Sequence, residues 1–221
     1  TDSIADYYFT TSEIANENLR HLGIDNSRIF FVGNVMIDTL LSNIHRLHKP
    51  VEFDSLNLKD RQYVVLTMHR PANVDEVDKL KETISQIVHN VQGLPVIFPI
   101  HPRTANIFKG HGITADNLYI IPPQGYLEFN YLAKHALAVV TDSGGITEET
   151  TIMGIPCLTL RDNTERPETC TIGTNFLVGT NPDNIKPALD KLFAGKWQQG
   201  GIPEKWDGQA AMRIVDRILE L

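Results

Sequence analysis

The stretch VVTDSGGITEETTIMGIPCLTL, residues 139–160, contains the clearest structural pattern in the sequence. An apolar run stops at Thr141-Asp142, a helical pattern begins behind a Ser-Gly-Gly turn, and a second apolar run, IPCLTL, follows. A strand, a tight turn, a helix and another strand in this order predict a βαβ unit, whose two strands are parallel. Two adjacent glycines cost chain entropy, so something must need the backbone to come close at this turn.

The same alternation of strand and helix runs through most of the chain. Helical patterns such as DEVDKLKETISQIVHNV, residues 75–91, carry apolar residues on one face and charges on the other. Strands rich in Val, Ile and Phe that are separated by helices predict a doubly wound, mostly parallel sheet in an α/β, Rossmann-like domain. The predicted strands are residues 28–33, 63–69, 95–101, 117–121, 136–142, 155–160 and 175–179.

Two polar segments interrupt this pattern. Residues 45–62 predict an irregular linker, and residues 196–209 predict a second irregular segment before a final amphipathic helix that ends at Leu221. We expect residues 1–24 to be the end of an N-terminal domain and its crossover, and residues 25–221 to be the C-terminal domain.

The composition disfavours several classes of protein. A chain of 221 residues that is 42% hydrophobic can form one large core, or one domain with a piece of another. Its two cysteines do not have the spacing of a disulfide framework or of a metal site, so we expect neither. This cysteine usage favours a reduced, cytoplasmic setting. The apolar runs are too short to cross a bilayer, so no membrane association is expected. A net charge of −7 argues against nucleic acid as a partner.

Polar and charged side chains collect where the predicted strands end. His69 and Arg70 follow one strand, His101 follows another, and Arg166 lies in the loop TERPE after a third. In doubly wound sheets, ligands bind beyond the carboxyl ends of the strands. Two histidines and two arginines at one sheet edge would be costly without a counter-charge, so we expect an anionic ligand there.

The Ser-Gly-Gly turn has two interpretations on its residues alone. Ser143, Gly144 and Gly145 can cradle a phosphate at a helix N-terminus, and Glu149 can then reach a sugar hydroxyl beside it. Alternatively, Ser143 caps the helix and a following glutamate completes a capping arrangement. No GxGxxG or GxxxxGK[ST] pattern occurs, which disfavours a dinucleotide-dependent dehydrogenase and a P-loop enzyme.

Several motifs together resemble one enzyme family. HR after a strand, IHPR, TDSGGITEE and LRDNTERPE, in this order, are similar to the C-terminal half of the non-hydrolysing UDP-N-acetylglucosamine 2-epimerases. The opening TDSIADYYFTTSEIANENLRHLGI and the segment VGNVMIDTLL also resemble that family. The resemblance implies the C-terminal domain of a two-domain, glycosyltransferase-B-type architecture.

The resemblance also implies roles for individual residues. His69 matches an active-site histidine that is proposed to assist the departure of UDP. The positions that match residues binding the UDP-sugar are Arg70, His101, Phe129 at the uracil pocket, Ser143, Gly144 and Gly145 at the diphosphate, Glu149 at the ribose, and Arg166. The implied reaction interconverts UDP-GlcNAc and UDP-ManNAc by anti elimination of UDP to a 2-acetamidoglucal and its re-addition. No cofactor and no metal are expected, and the full-length enzyme is expected to be a homodimer.

Two departures from the family pattern bear on activity. The acid and base carboxylates of the family lie upstream of Thr1, so we expect this chain to be part of a longer epimerase and inactive alone. In HRPAN, Pro71 and Ala72 replace an arginine and a glutamate of many bacterial members, where this stretch borders an activator site.

Two other functions remain open at this point. A UDP-sugar glycosyltransferase of the same architecture binds its donor with a glycine-rich turn and a ribose-binding glutamate, and fold does not fix function. A non-catalytic nucleotide-sugar-binding module is the third hypothesis.

Overall fold

The computed structural model describes the backbone of residues 4–100 and 102–221 and, within these ranges, every side chain except those of residues 102, 103 and 109. The contacts divide the chain into two units, Thr1–His45 with Ile202–Leu221, and Arg46–Gly201. The strands are β1 Tyr8–Thr10, β2 Ile29–Phe31, β3 Val64–Thr67, β4 Val96–Pro99, β5 Leu118–Ile121, β6 Ala138–Thr141, β7 Cys157–Thr159 and β8 Asn175–Leu177.

The helices alternate with these strands. They are α1 Glu13–His21, α2 Val35–Asn43, α3 Val51–Ser55, α4 Pro71–Val74, α5 Val77–Asn90, α6 Pro102–His111, α7 Tyr126–His135, α8 Gly144–Met153, α9 Glu168–Thr171, α10 Ile185–Phe193 and α11 Ala210–Glu220. Short 3₁₀ turns occupy Asn26–Arg28, Ile44–Arg46 and Pro182–Asn184.

The larger unit, Arg46–Gly201, contains a parallel sheet. Within the described ranges it has six strands in the order β5-β4-β3-β6-β7-β8. The chain first proceeds outward from β3 to β5 and then returns to the other side of β3 to place β6. This order has a switch point between β3 and β6, where doubly wound domains bind ligands. The predicted α/β fold class is confirmed.

Both faces of this sheet are covered by helices, because successive strand residues enter different apolar clusters. Val64 and Val140 join a cluster that includes Leu80 and Ile84 of α5. Val65 and its neighbours face a second cluster with Leu132 of α7. Strands that are buried on both faces read as continuous apolar runs, which is why the sequence identified them.

The smaller unit contains a separate two-stranded parallel sheet. β2 pairs with β1, with Tyr8 opposite Ile29, so the strand predicted at 28–33 does not join the larger sheet. The final helix α11 starts at the carboxylate of Asp38, which accepts hydrogen bonds from the backbone N–H groups of Ala210 and Ala211 at 3.1 and 2.7 Å. Residues 25–45 therefore group with the first segment, and the division of a longer protein at residue 24 stays a prediction.

One of the two segments predicted as irregular contains a helix. α3 lies within residues 45–62, and Phe53 packs edge-on against Tyr63, with 6.0 Å between ring centroids. The prediction is wrong there because a single aromatic anchor stabilises a short helix in an otherwise polar stretch. Residues 196–209 contain neither helix nor strand, as predicted. Among the described residues, no helix is both long and apolar enough to cross a membrane.

Candidate functional site

The site lies at the switch point of the larger sheet. β3 and β6 are adjacent and in register from Val64 opposite Ala138 to Thr67 opposite Thr141. The hydroxyls of Thr67 and Thr141 are hydrogen-bonded at 2.8 Å, at the carboxyl ends of the two strands. The loops that leave these strands therefore start side by side, although more than seventy residues separate them in sequence.

Asp142, the first residue after β6, joins the two loops. Its side chain is completely buried, and its carboxylate accepts hydrogen bonds from the backbone N–H groups of His69 at 3.1 Å and Arg70 at 2.9 Å. Asn73 donates to it from Nδ2 at 3.1 Å. Asp142 was not among the site residues predicted from the sequence. The available signal was an aspartate directly after a buried strand, where a charge needs partners.

His69 faces the same carboxylate with its ring. Nδ1 of His69 lies 3.0 Å from Oδ1 of Asp142, and about half of the imidazole is exposed. Arg70, which is partly exposed, is the residue that precedes helix α4. The structure thus brings the two predicted residues after β3 next to the turn after β6.

The Ser-Gly-Gly turn opens helix α8 directly. Ser143 occupies the N-cap position, and Gly144 is the first helical residue. The Ser143 side chain makes no capping hydrogen bond, whereas its backbone N–H donates to Thr141 Oγ1 at 3.0 Å. Glu148 and Glu149 are the fifth and sixth residues of the helix rather than the third, so neither completes a capping box. The capping interpretation is therefore not what the geometry shows.

Two arginines of the loop after β7 are paired with acids. Arg166 donates from Nε to Oε1 of the buried Glu148 at 2.5 Å. Arg161 is nearly buried and holds Glu165 in a two-point contact at 2.9 and 2.6 Å. The guanidinium of Arg161 lowers the pKa of Glu165 to about 2. Arg166 was predicted from the sequence, and Arg161 was not.

Glu149 is buried and held by helix α7. Burial raises the pKa of its carboxyl, although hydrogen bonds from Tyr126 and Asn130 oppose that rise. Burial, and secondarily the nearby Glu149 carboxyl, raises the pKa of Tyr126. Phe129 lies on α7 and packs against the cluster on that face of the sheet.

The remaining predicted positions can be placed briefly. Gly145 lies in the first turn of α8, and His101 lies outside the described residues. Cys157 is a free thiol in the core, where burial raises its pKa to about 12. Within the part of the chain that the structure describes, no cluster of three His, Cys, Asp or Glu residues could hold a metal ion.

Known proteins match this chain over almost all of its residues. The family model for UDP-N-acetylglucosamine 2-epimerase matches residues 1–219. The UDP-N-acetylglucosamine 2-epimerase of Methanocaldococcus jannaschii is 41% identical, covering 99% of this chain and 62% of its own. A UDP-2,3-diacetamido-2,3-dideoxy-D-glucuronate 2-epimerase from Pseudomonas aeruginosa is 34% identical, covering all of this chain and 62% of its own.

Solved structures agree. The M. jannaschii enzyme in complex with UDP-GlcNAc and UDP superposes with a TM-score of 0.81 at 38% identity, covering 98% of this chain and 62% of that one. A UDP complex of MnaA from S. aureus superposes with a TM-score of 0.86 at 26% identity, covering 99% of this chain and 60% of that one.

These structural neighbours have the glycosyltransferase-B type of fold, which confirms the predicted architecture. The chain spans about three fifths of the length of its relatives. With the fold, the motifs and the family model in agreement, the chain belongs to the UDP-N-acetylglucosamine 2-epimerase family.

Proposed function

We propose that this chain is the UDP-binding portion of a UDP-N-acetylglucosamine 2-epimerase, which interconverts UDP-GlcNAc and UDP-ManNAc. The observation that carries the proposal is the convergence of His69 and Arg70 after β3 with the Ser143-Gly144 turn after β6. Relatives with the same fold were solved with UDP or with UDP-GlcNAc bound.

The diphosphate would sit at the start of helix α8. The first N–H groups of a helix have no acceptor within it, and the positive end of the helix dipole favours an anion. Gly144 has no side chain to keep a phosphate away, and the Ser143 hydroxyl is not used as a cap. The resemblance places Arg70, Arg166 and His69 in the same cleft, where their side chains can donate hydrogen bonds to the diphosphate. His101 is kept as a proposed cleft residue on the resemblance alone.

The nucleoside would lie between α7 and α8. The Glu149 carboxyl can accept hydrogen bonds from the ribose hydroxyls, and Tyr126 and Asn130 fix its position. A charged carboxylate is the stronger acceptor, so ligand hydroxyls would offset the burial that raises its pKa. Phe129 offers an aromatic ring for the uracil.

The chemistry would begin with loss of UDP from the sugar. The developing negative charge falls on the diphosphate, where the helix terminus, the arginines and His69 can stabilise it without reorganisation. The resemblance assigns the acid and base that exchange the proton at C2 to carboxylates upstream of this chain. No cofactor is needed for elimination and re-addition.

The setting of the full-length enzyme is part of the same proposal. We infer a cytoplasmic homodimer that binds no nucleic acid, because the net charge of −7 disfavours a polyanion and the family resemblance implies a dimer. Light scattering of the full-length enzyme at micromolar concentration checks the oligomeric state.

Calorimetric titration of this chain tests the nucleotide site. UDP is expected to bind more tightly than UMP, and UMP more tightly than uridine, because each phosphate adds charge-assisted hydrogen bonds. Equal affinity for UDP and uridine, or no binding of UDP by the folded chain, would overturn the proposal. Assay of the full-length enzyme with UDP-GlcNAc and no acceptor separates epimerisation from glycosyl transfer.

A further inference from the structure

We propose that Asp142 is a positioning residue for His69: it holds the imidazole through Nδ1, so that Nε2 is the ring nitrogen left to face the ligand. The proposal concerns how the ring is held, and its meaning for the reaction rests on the proposed function.

The first support is that one carboxylate holds both the loop and the ring. Oδ1 of Asp142 lies 3.0 Å from Nδ1 of His69 and 3.2 Å from its backbone nitrogen. Oδ2 accepts from the backbone N–H groups of His69 and Arg70 and from the Asn73 amide. The position of the ring is therefore tied to the position of its own backbone.

The second support is chemical. An ionised carboxylate only accepts hydrogen bonds, so Nδ1 of His69 must carry a proton to bond to it. In the neutral ring, Nε2 then has no proton and can accept one; in the imidazolium, Nε2–H can donate to a leaving diphosphate oxygen. In both states the proton exchanged with the ligand is exchanged at Nε2.

The described neighbours of the Asp142 carboxylate are hydrogen-bond donors and a cation. The guanidinium of Arg161 interacts electrostatically with it, and Asn73 donates both to Oδ2 and to the carbonyl of Leu160. Hydrogen bonds of this number to the charged form favour a carboxylate in a buried place.

The variant Asp142→Asn separates the two roles. The backbone donors of His69 and Arg70 converge on Oδ2 and demand an oxygen there. The amide NH₂ must then occupy the place of Oδ1, where it donates to Nδ1 of His69 and forces the opposite tautomer. The hydrogen bonds to the loop backbone are largely kept, whereas the tautomer of the His69 ring is reversed.

The experiment is long-range ¹H–¹⁵N correlation NMR of the imidazoles in the ¹⁵N-labelled chain without ligand. His69→Gln assigns the signals, and the spectra are taken at about pH 9, well above the ordinary histidine pKa of about 6.5. The native chain is expected to show the Nδ1–H tautomer at His69, and Asp142→Asn the Nε2–H tautomer. Asn73→Ala, which removes another partner of Asp142, is expected to keep the native tautomer.

An Nε2–H tautomer in the native chain would overturn the proposal, and so would an unchanged tautomer in folded Asp142→Asn. If Asp142→Asn does not fold, the native spectrum alone decides. Because no ligand is present, failure of UDP to bind would count against the proposed function and leave this result standing.

Discussion

A Cβ atom built on Gly144 would lie 3.6 Å from Nη1 of Arg161. Its other near neighbour would be Oε2 of Glu165 at 3.8 Å, and both distances are ordinary van der Waals contacts. Gly144 does not have a left-handed φ. The protein itself therefore has room for an alanine at this position. Substitution of Gly144 by alanine thus tests whether a bound ligand needs the space that the glycine leaves.

We expect Gly144→Ala to weaken UDP by roughly tenfold or more, which corresponds to about 1.4 kcal/mol, and to leave uridine nearly unchanged. The added methyl group would occupy the approach of the diphosphate, whereas helix α8 should form at least as well with alanine. Calorimetric titration measures both ligands. Gly201→Ala is the matched control, because its Cβ would also meet neighbours at 3.6 and 3.8 Å. Unchanged UDP affinity in a folded variant would return the turn to a structural role.

Glu149→Gln is expected to weaken UDP and uridine alike. The ribose would lose a charge-assisted hydrogen bond worth roughly 1.5–3 kcal/mol, about 10- to 150-fold in affinity. Stability should not fall, since burial already disfavours the charged form of Glu149. The exposed Glu82→Gln on helix α5 provides the control. A loss confined to UDP would contradict the assignment of Glu149 to the ribose.

Glu168→Gln is expected to stabilise the fold at neutral pH. Glu168 is buried, and among the described residues neither carboxyl oxygen has a hydrogen-bond partner. Burial raises the pKa of the Glu168 carboxyl above its usual 4.5. The folded protein therefore favours the protonated side chain, and the free energy of unfolding falls as the pH rises from below 4.5 through the folded-state pKa. We expect the variant to gain about 1 kcal/mol at pH 7 and little near pH 4.

Urea denaturation of the native protein and of Glu168→Gln at pH 7 and near pH 4 measures this difference in the free energy of unfolding. A variant that is less stable than the native chain at pH 7 would show that the carboxylate is in fact partnered.

The chain alone is expected to bind UDP without converting UDP-GlcNAc to UDP-ManNAc. Three acids near the site are already engaged, Glu148 by Arg166, Glu165 by Arg161 and Asp142 by the loop after β3. None of them is placed as a free acid or base for proton transfer at the sugar. Separation of the two nucleotide sugars after incubation provides the measurement, and turnover by the purified chain would refute the expectation.

The full-length enzyme is expected to respond hyperbolically to UDP-GlcNAc. Pro71 and Ala72 begin helix α4 and are exposed, so this surface has no polar side chain at the two positions that differ from many bacterial members. Cooperativity requires a second site with differential affinity. Initial rates over a wide substrate range test this, and a sigmoidal curve would argue for an activator site built from other residues.

The larger sheet could be predicted because its central strands are buried on both faces and all its strands carry apolar runs. The smaller sheet could not, since β1 is only three residues long and each of its residues pairs with a residue of β2 that lies 21 positions away in sequence. Helix α3 was hidden by its polar neighbours, because Phe53 is the residue that anchors it against Tyr63.

For the candidate site, sequence reasoning found the residues that a motif or a strand end marks, such as His69 and Ser143. It missed Asp142, Arg161 and Tyr126, whose importance depends on which loops become neighbours. These loops are neighbours because β6 lies beside β3 and not beside β5. The strand order depends on how the whole sheet packs.

The two units differ in whether they are formed from one segment of the chain or from two. Arg46–Gly201 is one continuous stretch, whereas the smaller unit is assembled from Thr1–His45 and Ile202–Leu221. During translation, domains fold as their residues emerge from the ribosome. The larger sheet can therefore be complete before the segment that carries Trp206 and α11 has been synthesised, and the unit that contains β1 and β2 needs that segment. Synthesis order makes the early residues of this chain among the last to reach their final contacts.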